Sequence, residues 1–178
     1  ARNCRMELTD GITRLRKPVD GDAPAIAAAV HENLEQLRPW MPWASEAYDA
    51  GDALDWVRGL VDPSEHRFVI VDDDDVVLGN CGINRIDALH RTANLGYWLR
   101  SEATGLGHAT RATRLVASHA LGLDEVELVY IEMSTHNEAS RRVAERAGAT
   151  YEGVLRSRLF LQGERHDVHM FSFVRGDI

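Results

Sequence analysis

The order of strand-like and helix-like segments restricts the fold of this chain more than any other feature. Segments with strand periodicity occupy residues 67–71, 76–84 and 92–99, and the acidic turn 72–75 joins the first two into a hairpin. Two further strand-like segments, 150–161 and 164–174, close the chain. Between these antiparallel blocks lie a helix (107–121), an apolar strand (126–135) and a helix (137–147). Because successive strand, helix and strand form a parallel crossover, we predict a mixed α/β sheet, antiparallel at both ends, with one central parallel pair.

The first third of the chain adds a strand and two helices. The strand is predicted at residues 11–18, and a helix at 23–37 has Asp22 as its N-cap, Pro24 in its first turn and Pro39 beyond its end. A helix at 52–61 brings the total to about four. No repeat or flexible linker divides the sequence. We therefore expect a single domain over residues 11–178, preceded by an N-terminal extension or remnant at residues 1–10.

Composition excludes several classes of protein. The formal net charge of −8 disfavours a nucleic-acid partner, because such proteins usually carry a basic excess on one face. The longest apolar run, residues 26–30, is far shorter than the ~18 residues that a membrane helix needs, and no secretory signal is recognisable. Cys4 and Cys81 lack the spacing of metal ligands. These features predict a cytoplasmic protein that binds no metal, membrane or nucleic acid.

A small-residue loop between a strand and a helix is the sharpest candidate for ligand binding. Gly105, Gly107 and Ala109 follow the strand 92–99 and open the helix 107–121. Such residues let backbone N–H groups turn toward one point, and the helix dipole adds about half a positive charge, which suits a diphosphate. The basic residues placed around this loop are Arg100, His108, Arg111 and Arg114. The alternative is a turn that only reverses the chain.

Two familiar nucleotide sites do not fit this loop. A dinucleotide fold places its glycine loop after the first strand, whereas here three antiparallel strands come first. A phosphate loop ending in Gly-Lys-Ser/Thr is impossible, because the single lysine is Lys17. Both NAD and ATP chemistry are therefore disfavoured.

A second group of polar residues opens the helix 137–147. Ser140 lies on the same helical face as Val143, Ala144 and Ala147, so its hydroxyl shares the buried side. Asn137 is suited to cap the helix, and capping by itself would explain its presence. A functional role for Asn137 and Ser140 is favoured by their position. The helices 107–121 and 137–147 begin at the same end of the parallel pair, and open α/β sheets bind their ligands at that end.

With these motifs the chain resembles the GNAT superfamily of acyl-CoA-dependent N-acyltransferases, from about residue 12 to residue 174. Its specific part is similar to the group that acetylates the serine or alanine N-termini of ribosomal proteins. The matching segments are LRPWMPW (37–43), NRI (84–86), LGYWL (95–99), GLGHAT (105–110), the helix from Asn137 and Ser140 to AG (147–148), and EGVLR (152–156). One departure concerns Thr104, where the family usually has Gln or Arg, so a phosphate-facing side chain is missing or is supplied by Arg100 or Arg111.

The resemblance implies a splayed pair of central strands that holds the pantetheine arm of acetyl-CoA, with the diphosphate on the loop 105–110 and no metal. The residues that it assigns to acetyl-CoA are Trp98, Leu99, Arg100, Gly105, Leu106, Gly107, His108, Ala109, Thr110, Asn137, Ser140 and Arg142. Ser140 becomes the candidate acid for the leaving thiolate. Either Glu65 or Glu132 is the candidate base, and loss of the amine proton to water is the alternative.

The acceptor is expected to be a primary amine that attacks the thioester directly. The residues assigned to its side of the site are Trp40, Trp43, Asn84, Arg85 and Tyr97. The resemblance favours the N-terminal α-amine of a ribosomal protein and a homodimeric enzyme. A small amine, such as an aminoacyl antibiotic or a polyamine, would use the same groups, because fold and cofactor do not determine the acceptor. A third alternative is a CoA-binding sensor without turnover.

Overall fold

The computed structural model describes residues 6–178 and contains one eight-stranded sheet, in the order β1-β2-β3-β4-β5-β6-β8-β7. The strands are β1 (Glu7–Thr9), β2 (Arg14–Arg16), β3 (His66–Val71), β4 (Val77–Asp87), β5 (Thr92–Leu99), β6 (Leu128–Ser134), β7 (Thr150–Leu161) and β8 (Glu164–Val174). The α-helices are α1 (Ala23–Glu32), α2 (Leu34–Leu37), α3 (Ala50–Arg58), α4 (His108–Leu121) and α5 (Glu138–Ala147).

The pairing of the strands confirms the predicted fold class. Neighbouring strands are antiparallel throughout these residues, except that β5 and β6 are parallel and are connected through α4. Within the range that the structure describes, no helix is long and apolar enough to cross a bilayer. The architecture is therefore a mixed sheet with one parallel pair near its centre.

The strand predicted over residues 11–18 is shorter in the structure, where β2 covers only Arg14–Arg16. The Asp10 carboxylate accepts hydrogen bonds from the N–H groups of Ile12 and Thr13 at 3.0 and 2.8 Å, and Gly11 has φ +86°. This turn reverses the chain, so that β1 pairs with β2 and residues 7–9 belong to the sheet. Cys4, in the segment 1–5, lies outside the described residues.

The prediction of one helix over residues 23–37 was wrong, because the helix is interrupted at Asn33. The buried side chain of Asn33 donates to the carbonyl of Ala29 at 2.7 Å, and its Oδ1 accepts the N–H of Ser101 at 2.7 Å. The backbone of Asn33 leaves the helical region, with φ −121° and ψ 17°, and α2 follows as a separate turn. This contact joins residues 68 positions apart in the chain and divides the expected helix in two, so residues 6–178 contain five α-helices where four were expected.

The predicted helix 52–61 occupies Ala50–Arg58. The carboxylate of Asp49 accepts the N–H groups of Gly51 and Asp52 at 2.7 and 3.1 Å, which satisfies donors that the first helical turn leaves unpaired. The helix ends at Gly59, whose φ of +75° is the left-handed conformation that glycine adopts readily.

Each face of the sheet has its own apolar core, because successive side chains of a strand point to opposite faces. On one side, called the α4 face, Phe68, Leu95 and Ile131 pack with residues of α4 and α5. On the other side, called the α1 face, Val69 and Trp98 pack with residues of α1 and α3. Polar side chains on either face are therefore positioned by rigid elements.

A buried guanidinium joins the edge of the sheet to the start of α1. Arg16 bonds Asp22 through both carboxylate oxygens at 2.8 and 2.9 Å, and its Nε donates to Asp75 at 2.9 Å. The Arg16 and Asp22 side chains are only 6% and 9% exposed. Asp75 belongs to the acidic hairpin turn, so this part of the turn has a structural role.

Candidate active site

The parallel strands β5 and β6 separate after a short paired segment. They pair only from Thr92 opposite Leu128 to Asn94 opposite Tyr130. In the described part of the chain, residues 95–99 of β5 and 131–134 of β6 have no pairing with each other, although β4 and β8 remain paired on their outer sides. This confirms the predicted splayed central strands and leaves a gap lined by backbone N–H and C=O groups.

The glycine loop lies beside this gap and forms the N-terminus of α4. Gly105 and Gly107 have φ +77° and +85°, and Gly107 is the N-cap of the helix. The first helical bond of this turn runs from the N–H of Arg111 to the carbonyl of Gly107. The N–H groups of His108, Ala109 and Thr110 therefore lie in the turn whose donors lack intrahelical acceptors, where an anion is favoured.

The rest of the loop carries few side chains that would obstruct an anion. A Cβ at Gly105 would meet no atom within 4 Å, and Leu106 is 67% exposed. The hydroxyl of Thr104 donates to the carbonyl of Ser101 at 2.6 Å, so it belongs to its own turn. The loop presents backbone donors, and Thr104 adds no cationic side chain.

The basic residues around the loop already have polar partners within the protein, and two of them are paired with acids. Arg100 lies 3.2 Å from Glu32, and Arg111 lies 2.9 Å from Asp10. Burial opposes ionisation of Asp10, but hydrogen bonds from the Thr13 N–H and from Arg111 lower its pKa to about 2.

The two remaining basic residues also have partners. His108 Nδ1 is 3.1 Å from the hydroxyl of Thr13. Arg114 donates to the carbonyl of Ala147 at 2.8 Å and thus joins α4 to the end of α5.

At the start of α5 the structure brings together Asn137, Ser140 and a tyrosine of β5. Asn137 is the N-cap, and its Oδ1 accepts the N–H of Ser140 at 3.1 Å. The Ser140 hydroxyl is 2.9 Å from the hydroxyl of Tyr97, which also donates to the Ser140 carbonyl at 3.0 Å. Burial raises the pKa of Tyr97 well above its ordinary value, while the bond with Ser140 opposes that shift. The phenol therefore keeps its proton at neutral pH.

A cavity of about 630 Å³ opens on the α1 face beside β5. Its walls include four aromatic side chains: Trp43, Tyr48, Trp56 and Trp98. Of the predicted acceptor residues, Trp43, Asn84 and Tyr97 line this cavity, called the acceptor pocket from here on. Trp98, assigned from the sequence to the cofactor, also lines it.

The other predicted residues lie outside the acceptor pocket. Trp40 is half-buried and is not part of its lining, and Leu99 is half-buried against the α4-face core. Arg142 is exposed on α5, two residues after Ser140. Arg85 lines a second, shallow groove of about 910 Å³ together with Tyr130 and Arg158.

The two candidate bases have different surroundings. Glu65 lines the acceptor pocket, with its carboxylate 3.1 Å from Arg67 Nε, and burial raises its pKa above the ordinary value. The side chain of Glu132 is only 2% exposed and lies between two guanidiniums, 3.3 Å from Arg85 and 3.3 Å from Arg158. Glu132 is thus charge-compensated on both sides, whereas Glu65 has one partner and faces a cavity.

Sequence reasoning missed part of this site. Tyr48 and Trp56 form the wall contributed by α3 and the loop before it, a region in which the sequence predicts a helix but indicates no functional role. The bond between Tyr97 and Ser140 was missed as well. The alternation of β5 contained a signal, because Tyr97 is on the same face as Leu95, which packs under α4 and α5.

Comparison with known proteins agrees with this geometry. The model of the acetyltransferase (GNAT) domain family matches residues 13–150. The ribosomal-protein-serine acetyltransferase of Escherichia coli K12 is 31% identical over 144 residues, which covers 79% of this chain and 80% of the relative. The spermidine N(1)-acetyltransferase of Vibrio cholerae is 25% identical and covers 76% and 80%.

Solved structures show the same fold. The ribosomal L7/L12 α-N-protein acetyltransferase RimL, solved in complex with coenzyme A, superposes with a TM-score of 0.85 at 22% identity and covers 95% of this chain and 98% of that chain. The relatives include ribosomal-protein acetyltransferases, and the family model covers most of the chain. This protein belongs to the GNAT family and is an acetyl-CoA-dependent N-acyltransferase of the ribosomal-protein acetyltransferase-like type.

Proposed function

We propose that this enzyme transfers the acetyl group of acetyl-CoA to a primary amine, with the N-terminal α-amine of a protein as the first candidate. The observation that carries the proposal is the position of residues 96–98 of β5. They border the gap between the splayed strands and also line the acceptor pocket. An acyl donor in the gap and an amine in the pocket would therefore meet at the same strand.

The acetyl-CoA site is proposed from the groups that border the gap. The N-terminal turn of α4, with Gly105 and Gly107, suits the diphosphate, because backbone N–H groups and the helix dipole converge there. The backbone groups of residues 131–134 that point away from β8 and into the gap suit the amides of the pantetheine arm. Asn137 uses its Oδ1 to cap α5, which leaves its amide N–H donors for the same arm.

Ser140 and Tyr97 are proposed to manage the leaving group. As the amine nitrogen attacks the thioester carbon, the bond between that carbon and sulfur breaks and the thiolate needs a proton. The hydroxyl of Ser140 supplies it and regains a proton from solvent once the thiol has left, while the phenol of Tyr97, 2.9 Å away, keeps its own proton and orients that hydroxyl. Both groups are neutral donors at the pH of the cell.

Glu65 is proposed as the group that takes the proton from the attacking amine. It faces the acceptor pocket, and its raised pKa makes it a stronger base than an ordinary carboxylate. Glu132 is less suited to this task, because it does not line the acceptor pocket and its carboxylate already lies 3.3 Å from Arg85 and 3.3 Å from Arg158.

The acceptor has two candidate classes. A protein N-terminus is supported by the similarity to the ribosomal-protein-serine acetyltransferase of Escherichia coli. A small amine is the alternative, supported by the similarity to a spermidine acetyltransferase and by the aromatic lining of the acceptor pocket.

A homodimer is the proposed assembly. The edge strand β7 exposes Tyr151, Val154, Leu155 and Phe160, and a second copy could cover these apolar side chains. Light scattering after size-exclusion chromatography measures the mass directly.

The test combines ligand binding with turnover. A thermal-shift titration with acetyl-CoA, CoA and NAD should raise the Tm with the two CoA ligands and not with NAD, because a ligand of the native state stabilises it by mass action. Thiol release is then measured with peptides and small amines. Binding without release for any amine would indicate a CoA sensor, and the absence of any shift would contradict the acetyl-CoA site.

A further inference from the structure

The acceptor pocket is much larger than a small N-terminal residue requires. At about 630 Å³ it falls within the range typical of pockets for drug-sized ligands, about 300–1,000 Å³. The methyl group of alanine or the hydroxymethyl group of serine would leave most of this space unfilled. The volume therefore indicates an acceptor with a substantial group next to its amine.

The walls of the pocket indicate the chemistry of that group. The ring centroids of Trp43 and Tyr48 are 5.4 Å apart, and those of Trp43 and Trp98 are 6.3 Å apart. Trp43 is 42% exposed, although a tryptophan usually buries most of its ring. Aromatic rings stack on planar or apolar groups, so this wall is suited to cover such a group on a ligand.

The floor of the pocket is open because two glycines face each other. Gly82 of β4 is paired with Gly96 of β5. A Cβ at Gly82 would lie 2.7 Å from the carbonyl oxygen of His66, so that glycine is required by packing. A Cβ at Gly96 would have only the Asn84 amide nitrogen near it, at 3.6 Å, which is an ordinary contact. Packing therefore does not require the glycine at position 96, and its effect is to leave space in the pocket.

The charge of the pocket favours a cation. Three carboxylates, Asp52, Asp55 and Glu65, belong to its lining, against the single guanidinium of Arg67. Arg67 is already 3.1 Å from Glu65. An approaching ammonium group is attracted by the remaining negative charge, whereas a carboxylate next to the amine would be repelled.

We infer that the acceptor pocket accepts a primary amine attached to a bulky apolar or aromatic group, in preference to an amine on a small residue. This inference rests on the proposed acetyl transfer in the same pocket. The source is either a protein that begins with a large apolar residue or a small aromatic amine, and both present the same chemistry to the walls.

The first experiment compares peptides that differ only in their first residue: serine, alanine, leucine, phenylalanine or tryptophan. Phenethylamine and spermidine are measured beside them. Burial of a phenylalanine-sized group should raise kcat/KM by about ten- to a hundredfold over the serine and alanine peptides. Equal or higher kcat/KM for the serine or alanine peptide, or for spermidine, would overturn the inference.

A substitution in the floor of the acceptor pocket tests whether the shape of the pocket determines which amine is preferred. Gly96→Ala adds one methyl group to the free space, and it should lower kcat/KM for the phenylalanine and tryptophan peptides about tenfold more than for the alanine peptide. Leu89→Ala is the matched control, since it removes an apolar side chain that is 85% exposed in the turn between β4 and β5, outside the pocket. A uniform effect of Gly96→Ala on all peptides would contradict selection by the floor.

Binding without acetyl-CoA separates this inference from the proposed reaction. Tryptophan fluorescence is titrated with phenylalanine amide and with serine amide, because several lining residues are tryptophans. Tighter binding of phenylalanine amide, weakened by Gly96→Ala, supports the pocket chemistry even if no amine is acetylated, and only the proposed reaction would then fail. Equal binding of the two amides would overturn the inference whatever the turnover.

Discussion

Removal of the Ser140 hydroxyl tests the proposed chemistry most directly. In Ser140→Ala the thiolate loses its proton donor, and the loss of a positioned general acid typically costs 10²- to 10⁴-fold in rate. We expect kcat to fall at least about a hundredfold and the KM for acetyl-CoA to change less than about threefold, because the diphosphate site on α4 is untouched. The assay is thiol release at saturating acetyl-CoA with one peptide acceptor.

The same prediction extends to Tyr97, the hydrogen-bond partner of Ser140. Tyr97→Phe removes the bonds of 2.9 and 3.0 Å to the hydroxyl and the carbonyl of Ser140 but keeps the ring in place. Two neutral hydrogen bonds of about 1 kcal/mol each correspond to a decrease of up to about thirtyfold in kcat. Because Tyr97 is proposed to act through Ser140, the double variant should be no slower than Ser140→Ala alone.

Two control variants for this prediction lie on α4 and at the start of α5, the helix that carries Ser140. Ser118→Ala removes an exposed hydroxyl on α4 and should leave kcat unchanged. Asn137→Ala removes the α5 cap and should cost about 1 kcal/mol of stability. Because Asn137 is also proposed to bind the pantetheine arm, thermal unfolding of the Ser140→Ala protein itself is what separates loss of folding from loss of chemistry. A kcat for Ser140→Ala within about threefold of the wild type, or additive effects of the two substitutions, would refute the role assigned to the pair.

Three further predictions concern the acceptor, the base and the fold. Trp43→Ala should raise the KM for the acceptor more than that for acetyl-CoA, and steady-state kinetics with the opposite ranking would count against the pocket assignment. Because burial raises the pKa of Glu65, its basic form accumulates only above the ordinary carboxylate value of about 4.3, so kcat/KM should rise with pH on that limb. Glu65→Gln should lower kcat about a hundredfold and remove the limb from the pH profile, and an unchanged profile would exclude this base. Asp22→Asn leaves the buried Arg16 charge poorly compensated and should cost about 3 kcal/mol, or about 6–12 °C in Tm by calorimetry. Burial alone would raise the pKa of Asp22, but the bonds from Arg16 lower it, so this stability is complete above about pH 4 and is lost as the pH falls further.

The local sequence was sufficient to predict several structural features of the candidate site. The turn at Gly105 and Gly107, the capping of α5 by Asn137 and the buried face that includes Ser140 all depend on neighbouring residues, and all three are present. Roles for Glu65 and Glu132 could not be distinguished in this way. The two carboxylates differ in their arginine partners: Glu65 is paired with Arg67, whereas Glu132 is paired with Arg85 and Arg158. Arg85 and Arg158 are remote from Glu132 in the chain.

The sequence by itself determined the order of the elements after residue 10, the single parallel crossover and the place of the glycine loop, because periodicity, caps and turns are properties of short segments. The tertiary structure decided the break in the first helix at Asn33, the bond between Tyr97 and Ser140, and the pocket between α3 and the paired glycines of β4 and β5. Each of these depends on which faces of distant segments come together. A packing contact of that kind has no signal in a short stretch of sequence, since either residue alone is compatible with many partners.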